Sequence, residues 1–315
     1  MSKPLAPPTF SSSRDFVSRT GDIDLWWPYV VEILDRHGLK EAGREPEPGF
    51  NATYPTFLYG DIVVKLFGCL TSSRKSHAAE RSAYELLATD PGISAPRLLE
   101  SGYLYDSGTE AWPYLVTTRV SGAASWSVEL SYEQRLSLAG ELGDQVRRIH
   151  ALRPTAAVAT DADWPAADAT AAAEKSSLPP HLTAQVEDYL AGLVPFDDTF
   201  INSDLVANHI FVEDGRIVGI IDWGDAMVTD RHCELVQIYR DTFDCDRTLF
   251  RAFLEASGWP VGEDFPRKAL GHALRRQAIG MVQHPTIDVF EPIAALLPLR
   301  DIATLDELAN ELFAV

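Results

Sequence analysis

Two aspartates most constrain what this chain can become. Asp204 lies in a polar run, Asn202-Ser-Asp-Leu-Val-Ala-Asn-His209, held between the apolar flanks Phe200-Ile201 and Ile210-Phe-Val212. Asp222 closes the apolar run Gly219-Ile-Ile and is followed by Trp223-Gly224-Asp225. One carboxylate therefore sits on a loop between apolar flanks, a short hairpin follows, and a second carboxylate stands at a strand end. Phosphoryl transfer uses such a pair: one carboxylate accepts or orients the proton of the attacking hydroxyl, and the other holds Mg²⁺ on the nucleotide phosphates. Taken singly, either aspartate is equally well a turn or cap residue. Their order and separation together favour the chemistry.

Around this segment the chain changes character. Residues 1–20 are Pro/Ser-rich and read as irregular. Trp26–His37 reads as an amphipathic helix ended by Gly38. Tyr54–Tyr59 and Ile62–Phe67 are β-prone runs joined at Tyr59-Gly60-Asp61, the pattern of a hairpin. A helix over His77–Thr89, stopped by Pro91-Gly92, precedes two more strands, Arg97–Tyr103 and Tyr114–Val120. The back half is helical. Ser131 with Gln134 forms a capping box opening a helix to Leu152, with Leu138, Leu142, Val146 and Ile149 at helical spacing. Residues 155–180 read as a surface loop with room for one short helix. Further helices are expected over Leu182–Leu193, Glu234–Phe243, Arg247–Gly258, Arg267–Val282 and Leu305–Phe313. Phe200–Val212 and Arg216–Asp222 read as short strands. The expected plan is α+β: a β-rich front lobe, a connection near Thr117–Gly122, and a helical back lobe.

Charge separates the halves too. The chain has 27 Lys and Arg against 46 Asp and Glu, a formal charge of −19. Residues 1–120 carry a net −3 and residues 121–315 a net −16. This argues against nucleic acid as a partner, which needs Lys/Arg stripes. It fits a small cationic ligand, with a solvated acidic face as the plain alternative. Cys69, Cys233 and Cys245 are too few and scattered for a disulfide framework, and no CxxC metal pair exists. No apolar stretch is long enough for a membrane span. The start lacks a basic segment followed by an apolar run, so no signal peptide is read. The expectation is a cytoplasmic protein with no membrane partner, monomeric or weakly dimeric.

A lone lysine supports the phosphoryl reading: Ile62-Val-Val-Lys65-Leu-Phe67 places one cation in an apolar strand, with snorkelling to solvent as the plain alternative. Protein kinases carry H-R-D-L-x-x-x-N and D-F-G at the catalytic and metal loops. Here the corresponding runs are Asn202-Ser203-Asp204-Leu205-Val206-Ala207-Asn208-His209 and Asp222-Trp223-Gly224. Asn202 replaces the leading His. Asn208 stands four residues after the Asp, and His209 five. The chain resembles the aminoglycoside phosphotransferase and kinase-like family, whose loop commonly reads H-G-D-L-x-x-x-N followed by I-D-F/W-G-D-A. The Asn-His variant is similar to that of the 2″-acting aminoglycoside phosphotransferases. Lys65-Leu-Phe-Gly68, Ala95-Pro-Arg-Leu-Leu99, Trp112–Gly122, Glu234-Leu-Val-Gln237 and Ser257-Gly-Trp259 look like hygromycin B phosphotransferases. The resemblance covers roughly residues 25–300.

That resemblance implies a protein-kinase-like two-lobe fold, with a nucleotide-binding lobe over 1–118 and a catalytic and substrate-binding lobe over 119–315. It implies Asp204 as base and Asp222 with His209 as Mg²⁺ ligands. Lys65 would lie on the nucleotide phosphates, held by Glu80 or, as runner-up, Glu85. The run Gly49–Pro55, with one Gly, sits where the phosphate loop would sit and offers Asn51 or Thr53 to the phosphates, and it reads equally well as a plain hairpin turn. Thr118 and Val120 would mark the hinge at the adenine of ATP, with GTP possible. Asp225 is expected behind the metal, Asp230 as structural, and His232 as a loop histidine. Substrate carboxylates are sought in the acidic half: Asp241, Asp244 and Asp246 first, then Glu234, Asp288 and Glu291. The implied activity is transfer of phosphate to an aminoglycoside hydroxyl. The alternatives are a kinase for a metabolic amino alcohol or sugar, and a ligand-binding pseudokinase, for which the Asn-to-His change gives a foothold. A protein kinase is disfavoured, because no long activation segment and no A-P-E follow Asp222.

Overall fold

The computed structural model describes residues 5–41, 43–50, 52–105, 111–154, 168–193, 197–283 and 285–314. The chain falls into two compact units. The first comprises Met1–Ser121 with Val218–Asp225, and the second comprises Gly122–Ile217 with Ala226–Val315.

The first unit is built on the expected hairpin. Thr56–Tyr59 and Ile62–Leu66 pair antiparallel, with Tyr59 opposite Ile62 across Gly60-Asp61. Gly60 has φ +59°, a left-handed conformation that glycine adopts without a Cβ clash. Alternation buries Phe57 and Tyr59 on one strand, Val64 and Leu66 on the other, and sends Lys65 to the opposite face. The antiparallel sheet has the order Glu47–Pro48, Thr56–Tyr59, Ile62–Leu66, Pro113–Thr118, Leu98–Tyr103. The helix expected from His77 starts earlier and spans Ser73–Leu87. His77, Glu80, Tyr84 and Leu87 recur at the three-to-four spacing of one helical face, and all four are buried. Glu80 is therefore carried into the interior by the same periodicity that buries its apolar neighbours.

The N-terminal stretch differs from expectation. Ser13–Ser18 is a helix capped by Ser12, and it buries Phe16 against Phe10, Trp26 and Trp112. Its one apolar anchor gives no repeating stripe from which the sequence could be read as helical. The next helix spans Ile23–Arg36, with Asp22 as its cap.

In the second unit Ser131 and Gln134 form the expected capping box, opening the helix Tyr132–Ala151. This helix packs on Arg247–Ser257, and Gly143 permits the approach: a Cβ there would come 2.5 Å from the Phe253 carbonyl oxygen. Phe265–Gln283 packs against Leu305–Phe313 and Ala169–Ala173. Thr199–Ile201 pairs antiparallel with Met227–Thr229, and Ala123–Ala124 with Ile210–Glu213.

Two expected helices are broken. Leu182–Leu193 resolves into Pro180–Thr183 and Val186–Ala191. The Gln185 side chain donates to the His181 carbonyl, which a continuous helix would give to the Gln185 backbone N–H. Glu234–Phe243 runs at three pitches: a 3₁₀ turn over Arg231–Glu234, an α turn over Leu235–Gln237, and a π turn over Ile238–Thr242. Phe243 N–H bonds to the Ile238 carbonyl, five residues back. Among the described residues no helix is long and apolar enough to cross a membrane.

Candidate active site

In the first unit the Lys65 ammonium stands 2.7 Å from Glu80 Oε2 and 3.0 Å from Asp222 Oδ1. The other Glu80 oxygen accepts from the Tyr84 hydroxyl at 3.1 Å. Burial favours a neutral amine at Lys65, but the Asp222 and Glu80 carboxylates outweigh it and hold the ammonium above its ordinary pKa. Burial also pushes the Glu80 carboxyl up, against the pull of Lys65. Glu85 lies on the exposed side of the helix, 3.7 Å from Arg81.

Asp222 follows the strand Arg216–Ile220, whose end is pinned by Ile220 N–H on the Ser94 carbonyl. The buried Trp223 ring donates to the Ile220 carbonyl at 2.9 Å and fixes the turn. Asp222 has φ +56°, a left-handed conformation that aspartate tolerates better than most residues. Its side chain is 43% exposed, so the carboxylate meets Lys65 on one side and solvent on another. Thr53 is exposed in the bend before the first hairpin strand. Asn51 lies outside the described residues. Thr118 closes its strand with its N–H on the Arg97 carbonyl and its hydroxyl accepting from Arg97 N–H. Val120 is half-buried against Gly219, where a Cβ would come 2.5 Å from Val120 Cγ1.

In the second unit the polar run is a folded loop. Asp204 N–H bonds to Asn202 Oδ1 at 2.9 Å, Val206 N–H to the Asp204 carbonyl, and His209 N–H to the Val206 carbonyl. Buried Leu205 anchors it. Ser203 has φ +66°, a conformation that costs a serine roughly 1–2 kcal/mol. Glu234 holds it there: Oε1 accepts from Asn202 N–H at 2.8 Å and Ser203 N–H at 3.2 Å, while Oε2 meets His150 Nε2 at 2.9 Å. Glu234 is 1% exposed. Its place is beneath the loop, bracing the backbone, rather than on a substrate-facing surface.

His209 Nδ1 is 2.8 Å from the Asp204 carbonyl oxygen. A carbonyl only accepts, so Nδ1 carries a proton, and in the neutral ring Nε2 carries the lone pair. Metal-binding histidines take this form, one ring nitrogen donating to a carbonyl and the other facing the cation. The imidazole thus fits a metal ligand, as does the part-exposed Asp222 carboxylate. Two residues given no site role from sequence reach Asp204: Gln237 Nε2 donates to Oδ1 at 2.9 Å, and Arg276 Nη2 lies 3.6 Å from the same oxygen. Gln237 follows Glu234 by three residues, a spacing that shares a helical face. Arg276 carried no sequence signal.

The remaining acidic residues separate by role. Asp241 and Asp244 line a cavity of about 440 Å³ with Trp126, Glu129, Arg135 and Phe243. Asp241 is paired with Arg240 through two contacts of 2.6 Å, and Asp244 with Arg135 at 2.8 Å. Asp246 caps the helix Arg247–Ser257 through Thr248 and Leu249 N–H. Asp288 accepts from Ser177 and Phe290, and Glu291 is exposed in the first turn of Glu291–Leu296. Asp230 caps the Arg231–Glu234 turn and bonds to His232 Nδ1 at 2.6 Å. Burial pushes the Asp230 carboxyl up, but the His232 hydrogen bond and the His272 and His232 charges outweigh it and hold it well below the carboxylate range. Asp230 and His232 thus form a buried brace.

Comparison with known proteins places this arrangement. The chain is similar to the GDP and kanamycin complex of APH(2")-IIia, with 18% identity, 90% of this chain and 99% of that chain covered, and a TM-score of 0.60. It is also similar to APH(4)-Ia, with 17% identity, 89% and 99% covered, and a TM-score of 0.58. At these identities the likeness shows a shared kinase-like fold. Among curated proteins, lysine-specific demethylase JMJ21 of Arabidopsis thaliana is 26% identical over 208 residues, 49% of this chain. The chain's match spans 22% of that protein's length. The profile of the phosphotransferase enzyme family (APH) matches residues 56–269, which include Lys65, Glu80, Asp204, His209 and Asp222. With more than half its length matched, the chain is a member of the APH phosphotransferase enzyme family.

Proposed function

We propose that the protein transfers the γ-phosphoryl group of ATP or GTP to a hydroxyl of an aminoglycoside or aminocyclitol antibiotic such as hygromycin B, and so confers resistance. The observation that carries this reading is the Lys65 ammonium held between Glu80 and Asp222. A buried lysine fixed by a helix glutamate is the phosphate-positioning pair of this chemistry. Solved structures with this fold are named as complexes with GDP and kanamycin, with gentamicin, and with streptomycin and ATP.

In this reading Lys65 binds the nucleotide phosphates and Glu80 keeps it aimed, itself tied to Tyr84. The sheet end at Thr118 and Val120 lies along the adenine, and Thr53 belongs to the phosphate loop with Asn51. Asp204 takes the proton of the acceptor hydroxyl. Asp222 and the Nε2 nitrogen of His209 are the groups offered to Mg²⁺, although that ion prefers oxygen. When bound, Mg²⁺ neutralises charge on the transferring phosphates. Asp241 and Asp244 meet ammonium groups of the acceptor at the 440 Å³ cavity. Three unpaired cysteines suit a cytoplasmic setting.

The test is transfer of radiolabelled phosphate from ATP and GTP, with and without Mg²⁺, to hygromycin B, other aminoglycosides, amino alcohols and sugars. Mg²⁺-dependent labelling of an aminoglycoside is expected. Labelling confined to amino alcohols or sugars assigns a metabolic kinase. Acceptor binding without any labelling assigns a binding protein.

A further inference from the structure

The two oxygens of the Asp204 carboxylate have unequal surroundings. Oδ1 accepts the Gln237 amide at 2.9 Å and lies 3.6 Å from the Arg276 guanidinium. Oδ2 accepts no hydrogen bond among the described residues. Its neighbour His209 Nδ1 is 3.6 Å away and has its proton on the Asp204 carbonyl instead. One oxygen accepts a hydrogen bond from Gln237 with the Arg276 cation nearby, and the other accepts none among the described residues.

Gln237 is oriented by this grip. It is 6% exposed, and its Oε1 is buried with no hydrogen-bond partner among the described residues. Buried polar atoms are seldom left so. Turning the amide over would set Oε1 against Asp204 Oδ1, two acceptors face to face. The carboxylate therefore dictates the amide, and the unsatisfied oxygen is the cost of that choice. Three residues earlier, Glu234 holds the loop backbone at Asn202 and Ser203. One short segment thus fixes the backbone of the loop and the side chain of its aspartate. Arg276, from the helix Phe265–Gln283, adds a cation on the same oxygen.

We propose that Gln237 and Arg276 are positioning residues for phosphoryl transfer: they immobilise Asp204 Oδ1 so that Oδ2 takes the proton of the acceptor hydroxyl. This rests on the reading of Asp204 as base. In the step, the acceptor O–H bond breaks and an Oδ2–H bond forms. The acceptor oxygen bonds to the γ-phosphorus, and the bond from that phosphorus to the β-phosphate oxygen breaks, releasing nucleoside diphosphate. Loss of either grip lets the carboxylate rotate. Its cost falls on turnover rather than on nucleotide binding, because neither residue is assigned a nucleotide contact.

The experiment uses the full chain with ATP and Mg²⁺, with hygromycin B and kanamycin as acceptors and phosphate release to water as an acceptor-free readout. Gln237→Ala and Arg276→Met are expected to lower kcat by roughly 10- to 100-fold, the scale of a misplaced catalytic group, with the KM for ATP changed by less than about twofold. Arg276→Lys, which keeps the cation, should recover part of the loss. The double variant should lose less than the product of the single losses, since both grip one oxygen. Circular dichroism melting separates lost fold from lost turnover, and Gln237→Asn is the second variant where Gln237→Ala does not fold. Native kcat in the folded single variants, beside an Asp204→Asn variant reduced by roughly 10²–10⁴-fold, overturns this inference and leaves the base standing. An Asp204→Asn variant with native turnover, or a native chain inactive towards every acceptor and water, overturns the base and this inference with it.

Discussion

Asp222 and His209 sit in different local structures and should answer replacement differently. Asp222 brings a charged oxygen to a strained turn beside Lys65. Asp222→Ala is expected to abolish Mg²⁺-dependent transfer. His209 brings one ring nitrogen, the other being held by the Asp204 carbonyl. His209→Asn substitutes an amide oxygen, which suits Mg²⁺ at least as well, so activity should persist. Initial rates across a Mg²⁺ titration check both, and a His209→Asn variant as inactive as Asp222→Ala would refute the equivalence. The residue types and spacings of Lys65, Asp204 and Asp222 are legible in sequence because each is an ionisable group in an apolar or turn context. Glu80 is legible through its helical period. Gln237 and Arg276 are not, because their partner is reached through tertiary packing from elements 33 and 72 positions beyond Asp204.

Helices and strands with a repeating apolar stripe were readable nearly to their ends: the Ser131 capping box, the Thr56–Leu66 hairpin and the Phe265–Gln283 helix. The pitch changes between Arg231 and Thr242 were not, since 3₁₀, α and π turns can carry the same local composition. Two helices also bury histidines whose titration resists folding. Burial, aided by Arg81, lowers the His77 pKa to about 4, and burial likewise lowers His272 to about 4 against the pull of Asp230. Between that value and the unfolded pKa of 6.5 the unfolded chain binds protons that the folded helices refuse. Stability is therefore fully present above pH 6.5 and declines as pH falls towards 4. Asp230, held low, adds a further loss below pH 3.8. His77 lies between the Phe67 and Tyr103 rings, so His77→Phe keeps an aromatic side chain there and removes the proton site. Its Tm should fall less between pH 6.5 and 4.5 than that of the native chain. Equal slopes in the two melting series would sink the assignment.

Over the whole molecule, the net −16 on residues 121–315 should draw in polycations over the Debye length, about 8 Å at physiological ionic strength. Rising salt should raise the KM of an aminoglycoside while kcat changes less, and should affect the anionic nucleotide weakly or in the opposite sense. A KM flat between low and moderate salt would leave the acidity to solubility alone. That asymmetry was plain in the sequence, but its local counter-ions were not. Asp244 already holds Arg135, and Asp241 already holds Arg240 in a two-point clasp. If the acceptor binds here as proposed, an incoming ammonium would meet carboxylates that already hold guanidinium partners. A monoamine would have to displace such a partner with a single charge. A ring bearing several amines brings its own multiplicity and can displace both guanidiniums in succession, each released arginine easing the next exchange. On the proposed reading the arginines would then act as a selectivity filter. Arg135→Ala should lower the KM of monoamines more than that of aminoglycosides, and the lining would discriminate by the number of charges a ligand carries rather than by charge itself.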